Sequence, residues 1–220
     1  MQALDSRNMG SGNCYMQKII DKGELKIAGG KTAEGFLPIK EGKRTLTAKI
    51  RSQPTAVLEQ DGVEVKQHIV PLRFKGNEFH LEAEKLNAAQ GDMLIFHAAD
   101  RAQPGFSVRG EIGKQKFSST SLVDQAVFTH AFGLPGRYEW ADANGTGVGG
   151  VITVVSEPGD KKDGADRAMK RMSEGILVHI IGTKVEPKEL TISTGQTVFF
   201  AVEKTKGITI TDVSLLKGKK

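Results

Sequence analysis

Residues 127–155 read VFTHAFGLPGRYEWADANGTGVGGVITVV, and this stretch decides the fold. His130 shares the phase of Phe128 and Phe132, which predicts an inward-facing, satisfied core histidine on a strand. Trp140 belongs to a second strand and Gly150 to Val154 to a third. The glycine run from Gly145 to Gly150 looks like a phosphate loop, yet it leads into a strand instead of a helix and lacks the lysine. It reads as a short turn between strands.

Working outward, short strand-like pieces recur with turn residues between them. Leu25 to Ile27, Phe36 to Ile39, Leu46 to Ile50, Val63 to Val65, His68 to Val70, Phe79 to Ala83 and Met93 to Phe96 all have this character. Such spacing predicts an all-β sandwich. Residues 1–20 are polar and rich in Gly, Ser and Asn, and read as an arm. Residues 157–164 read as a loop. Residues 165–174 read as a short amphipathic helix with Met169 and Met172 as packing groups.

An internal repeat is legible. FHLEAEKLNAAQGDMLIFHA (79–98) aligns without gaps on TKVEPKELTISTGQTVFFAV (183–202), matching Glu82 with Glu186, Leu86 with Leu190 and Gly91 with Gly195. The second copy starts near Ile176 and leaves few residues before Lys220. A half-sandwich exposes strand edges and an apolar face. Strands from residues 22–50 could complete it, or it could pack on the first domain or on another protein.

Phe132, Pro135, Gly136, Tyr138, Trp140 and the strand from Gly150 to Val154 resemble the last two strands of a cupredoxin, the sandwich that normally holds a type-1 copper. Residues 184–192 resemble the family's opening strand and its proline bulge, and Gly91 to Asp100 resembles the lead-in to its first His ligand. The resemblance implies a cupredoxin-like Greek-key sandwich over residues 46–155 and a second, incomplete cupredoxin-like domain over 176–220. Residues 1–45 would form an arm with short strands, and 156–175 a linker with a short helix. It also marks the ligand positions: Pro104 or Gly105 for the first His, Asp142 or a residue next to it for the Cys, Asn144 or Gly145 for the second His, and the neighbourhood of Val148 for the Met. None carries a thiolate, imidazole or thioether, the donors a type-1 site uses. The expectation is therefore no catalytic, cofactor or metal residue at that site.

Composition narrows the function classes. Net charge is +5, with 12 Lys/Arg against 9 Asp/Glu after Val155 and 19 against 17 before it. No basic stripe with interleaved aromatics argues for nucleic acid, and the terminal lysines read as a charged tail. Cys14 is the single cysteine, which excludes an intramolecular disulfide and a Cys-x-x-Cys site. No apolar run is long enough for a membrane span, and the N-terminus lacks the apolar core of a secretory signal. The carboxylates Glu82/Glu84 and Asp160/Asp163 read as solvated faces, and no catalytic motif appears.

The expected function is that of a non-enzymatic structural or docking subunit without cofactor. It would be an accessory of a membrane-associated electron-transfer complex, respiratory or photosynthetic, with protein partners. Small-molecule ligands are not expected. Family members are mostly exported, which implies a periplasmic or extracytoplasmic place peripheral to a membrane, with the cytoplasm as the alternative. The alternative function is copper storage or delivery through non-type-1 ligands: Met9, Cys14, Met16 or His97. An adhesive or carbohydrate-binding sandwich is disfavoured because aromatics make up only 6% of the chain.

Overall fold

The computed structural model describes residues 13–22, 24–31, 41–42, 47–51, 67–75, 78–81, 85–99, 105–156 and 175–216. Regular structure among them is nearly all β-strand, as the turn spacing predicts. They fall into two compact units that divide between Thr120 and Ser121. The expected arm over residues 1–12, the loop 157–164, the helix with Met169 and Met172, the pieces 36–39 and 63–65, and the acidic groups Glu82/Glu84 and Asp160/Asp163 lie outside the described residues.

The first unit contains β1 (Cys14–Lys18), β2 (Glu24–Lys31), β3 (Glu41–Gly42), β4 (Thr47–Arg51), β5 (Gln67–Lys75), β6 (Glu78–Leu81), β7 (Lys85–Ala89), β8 (Met93–Ala98), β9 (Phe106–Ile112) and β10 (Gln115–Ser118). One sheet runs β1-β8-β5-β6, with β5 and β8 parallel and the other pairs antiparallel. The other runs β10-β9-β2-β4-β7, with β4 and β7 parallel. Alternation drives the layering: Tyr15, Leu94 and Phe96 are buried while their sequence neighbours Cys14, Met93 and Ile95 are only half-buried. Tyr15 and Phe96 stack at 5.9 Å, and Phe117 of β10 joins them from the other sheet at 6.4 and 6.1 Å. Phe117 lies on Gly110, where a Cβ would collide with the ring.

The second unit contains β11 (Ala126–Ala131), β12 (Gly136–Asp142), β13 (Gly149–Val155), β14 (Ile176–Ile181), β15 (Lys184–Glu186), β16 (Glu189–Ser193), β17 (Thr197–Glu203), β18 (Ile210–Asp212) and a single helical turn, α1 (Val213–Leu216). One sheet runs β15-β14-β17-β11 with β14 and β17 parallel. The other runs β16-β13-β12-β18 with β13 and β16 parallel. Trp140 of β12 meets Phe200 of β17 edge to face at 5.1 Å, so the two sheets share one aromatic core.

Both units therefore follow one strand order. β1, β2, β4, β5, β6, β7, β8 and β9 pair with each other as β11 to β18 do. The turn before β8 and that before β17 repeat bond for bond. Gly91 (φ 99°) and Gly195 (φ 91°) occupy the left-handed region that favours glycine. Gly91 N donates to Ile19 O at 2.8 Å, and Gly195 N to Phe132 O at 2.7 Å. Ile19 N returns to Asp92 O at 2.9 Å, and Phe132 N to Gln196 O at 3.1 Å. The next side chain caps the turn in each unit. Asp92 Oδ2 accepts from Ala89 N at 2.8 Å, and Gln196 Oε1 from Ser193 N at 2.7 Å.

This organisation corrects the expected division. Residues 46–155 do not form one sandwich, because β4 to β10 belong to the first unit and β11 to β13 to the second. The segment 176–220 is no incomplete repeat either. β16 adds in parallel to the edge of β13, and β17 pairs antiparallel with β11. Residues 22–50 do not complete it. The strands resembling the family's closing half come first, and they cover the edges of the half that follows. The arm expected over residues 1–20 is also corrected at its end, because β1 is a strand paired along its whole length with β8.

His130 points into the core as its phase predicts, but it is not satisfied: Nδ1 has no hydrogen-bond partner among the described residues. It packs edge-on against Phe132 at 4.7 Å. Burial pushes its pKa down from 6.5 to about 4. The folded state thus favours the neutral ring. Stability is complete above pH 6.5 and falls as the pH drops from 6.5 to about 4. The loss expected over that window is about 3 kcal/mol. Denaturant unfolding of wild type and His130→Leu between pH 7.5 and 4 checks this. Wild type should lose stability relative to the variant as the pH falls through this window, and a pH-independent difference refutes it.

Candidate functional site

The resemblance directs attention to the loop between β12 and β13, where a cupredoxin would present its copper ligands. Here the chain leaves β12 at Asp142 and returns through Gly145 (φ 75°) and Gly147 (φ 82°). Asp142 is buried at 3% exposure, and its carboxyl group organises everything around it. Oδ1 accepts from Thr209 N at 2.8 Å, Asn144 N at 3.1 Å and Asn144 Nδ2 at 3.2 Å. Oδ2 accepts from the Thr146 hydroxyl at 2.7 Å. Backbone bonds complete the clasp: Asp142 N to Val148 O at 2.8 Å, Gly145 N to Asp142 O at 3.0 Å and Ala143 N to Thr209 O at 2.8 Å.

The local sequence explains the shape. An Asp followed two residues later by an Asn offers a side-chain acceptor to the backbone N–H two positions on, the Asx geometry that closes turns. Gly145 and Gly147 then supply the positive φ values. Val148 is buried at 2% and anchors the return to β13. The segment leading into β18 is tied to this loop through Thr209.

Type-1 copper does not fit these residues. At the described ligand positions Gly105 and Gly145 have no side chain, Asn144 donates its amide to Asp142, and Val148 is apolar. Asp142 offers oxygen where soft thiolate is needed, and all its contacts are donors to it. Pro104 lies outside the described residues. Among the described residues no group of three or more His, Cys, Asp or Glu comes together.

The residues expected for the alternative copper site are placed differently. Met9 lies outside the described residues. Cys14 and Met16 sit on β1, facing away from the buried Tyr15, and His97 sits on β8 directly opposite Cys14. The structure thus brings Cys14, Met16 and His97 to one sheet face. Sequence reading missed this because pairing between strands so far apart in the chain leaves no local trace. Two other histidines are bound to carboxylates: His68 to Asp92 at 2.7 Å, and His179 to Glu203 at 2.9 Å. No family model, no curated protein and no solved structure matches the chain.

The clasp generates a direct test. Asp142→Ala leaves the buried Thr209 N–H and the loop amides without an acceptor, at an expected cost of about 3 kcal/mol. Asp142→Asn keeps one acceptor oxygen and should cost less. Unfolding followed by the emission of Trp140, the single tryptophan, measures both. An Asp142→Ala variant as stable as wild type would refute the clasp.

Proposed function

We propose that the protein is a non-catalytic docking subunit built on two copper-free, cupredoxin-like sandwiches, each entered midway through the family's strand order. It serves a membrane-associated electron-transfer complex, respiratory or photosynthetic, at whose periphery it binds protein subunits. Support for the sandwich reading comes from the pairing itself. The segment resembling the family's closing strands, β12 and β13, and the segment resembling its opening half, β14 to β17, close into one unit. Among the described residues, no helix is long and apolar enough to cross a membrane, so a peripheral place fits.

One observation carries the docking reading. The two most exposed large hydrophobic residues described are Ile69 (62%) and Leu177 (54%). Ile69 lies beside Ile95, which lies beside Met16, and Leu177 lies beside Phe199, which lies beside Thr129. These are equivalent rows of the two units. A single exposed apolar side chain means nothing, since such residues are scattered over every surface. Its recurrence at one position of a repeated framework argues for a use shared by both units. A partner surface of apolar side chains is the chemistry that matches these rows.

The test replaces Ile69 and Leu177 by Lys, singly and together. Exposed positions should tolerate this within about 0.5 kcal/mol. The wild type should co-migrate with a haem- or pigment-containing complex after gentle extraction of native membranes, and the double variant should not. Equal co-migration of the double variant overturns the surface, and a wild type that travels as a free monomer overturns the reading.

A further inference from the structure

The strand register that places Cys14 opposite His97 leads beyond the docking reading. The two residues are direct partners across the antiparallel β1–β8 pair. Facing partners of this kind hold their Cβ atoms about 5 Å apart. Met16 lies two residues along β1 on the same face, diagonal to His97 and within reach of its long thioether arm. All three side chains are half-buried, on the sheet face opposite the buried Tyr15 and Phe96. Pro71 of β5 flanks His97 on its other side and fixes a rigid, apolar border.

The imidazole is already set in the form a ligand needs. His97 Nδ1 lies 2.9 Å from the carbonyl oxygen of Ala98. A carbonyl only accepts, so Nδ1 carries a proton, and in the neutral ring the lone pair then lies on Nε2. Metal-binding histidines are oriented by this kind of bond from their other nitrogen.

We infer that Cys14, Met16 and His97 form a soft-metal site that takes one Cu(I) ion. A thiolate, a thioether and an imidazole suit Cu(I), whereas structural Zn(II) takes four ligands from Cys, His, Asp and Glu and not a thioether. On binding, the Cys14 thiol gives its proton to solvent as the sulfur–copper bond forms, and no electron changes hands. The second unit serves as an internal control. The same framework positions hold Val127, Thr129 and Ala201, which offer no sulfur or imidazole. The three donors are therefore particular to the first unit and are not a by-product of the repeat. The site is also separate from the β12–β13 loop, where a cupredoxin would hold its metal.

The experiment titrates the full chain with Cu(I), anaerobically and under reductant, against the competing chelator bicinchoninate. Wild type should withdraw one Cu(I) per chain, and Zn(II) should not displace it. Cys14→Ser should lose the competition altogether, and His97→Ala and Met16→Leu should each lose part of it. Leu177→Lys, which changes only the second unit's apolar row, should bind as wild type does, so failure of the docking surface and failure of the metal site are told apart. Far-ultraviolet circular dichroism verifies that each variant keeps its strand content. The inference is overturned if wild type leaves copper with the chelator. It is also overturned if Cys14→Ser binds as well as wild type, or if His97→Ala has no effect in a folded protein.

Discussion

The parallel pairing of β13 with β16 is the contact on which the second unit depends, and β4 with β7 plays the same part in the first. Parallel neighbours cannot be joined by a tight turn, so each such pair links segments distant in the chain. In the second unit the pairing runs from Val151 beside Glu189 to Val155 beside Ser193. It covers the exposed edge of β13 and buries Ile152, Val154 and Ile192 in a common layer. Gly150 makes the approach possible, because a Cβ there would press on the carbonyl of Lys188 and the indole of Trp140. Without this pair the three strands from β11 to β13 would show an apolar face and an unpaired edge, and so would the strands that follow. Neither half is a folding unit by itself.

Much of this was legible in the sequence, and the limits have physical reasons. The gap-free repeat of 79–98 on 183–202 located β7, β8, β16 and β17 in the right register, because Gly91 and Gly195 hold a turn only glycine adopts easily. The all-β class followed from alternation. The order of assembly was not legible. Which strand pairs with which is a long-range matter, and an edge leaves no mark in the residues that will cover it. β1 hides in the sequence because residues 1–20 are polar and rich in Gly, Ser and Asn, and Gln17 takes one of its core positions. The structure accounts for that residue: Gln17 is fully buried and accepts the Tyr15 hydroxyl at 2.9 Å. The strands flanking the β12–β13 loop were legible, but the role of Asp142 emerged only with Thr209, a residue far along the chain.

Asp142 explains how the scaffold keeps its end loop ordered without the ligand set of the family it resembles. A metal would gather side chains from separated segments and fix them. Here one carboxyl group collects four hydrogen bonds and joins the β12–β13 turn to the approach of β18. Buried donors that find an acceptor are worth most when the alternative is to be left unpaired. The clasp therefore orders this loop through hydrogen bonds of its own side chains.

The two units differ at a few equivalent positions of their shared framework. The buried polar position of the central strand holds Gln17 in one unit and His130 in the other, and only Gln17 is hydrogen-bonded through its side chain to a core neighbour. The turn cap is Asp92, bound to His68, in one unit and uncharged Gln196 in the other. On the opposite sheet face, Cys14 and His97 stand where the second unit has Val127 and Ala201. Framework positions such as Gly91 and Gly195, or Phe96 and Phe200, are kept because the fold fails without them. Sulfur-bearing Cys14 and Met16 stand in the first unit at positions where the second has Val127 and Thr129, so the fold does not need them. Residues that a fold does not require, held in register beside one another, are the ones whose chemistry calls for an explanation.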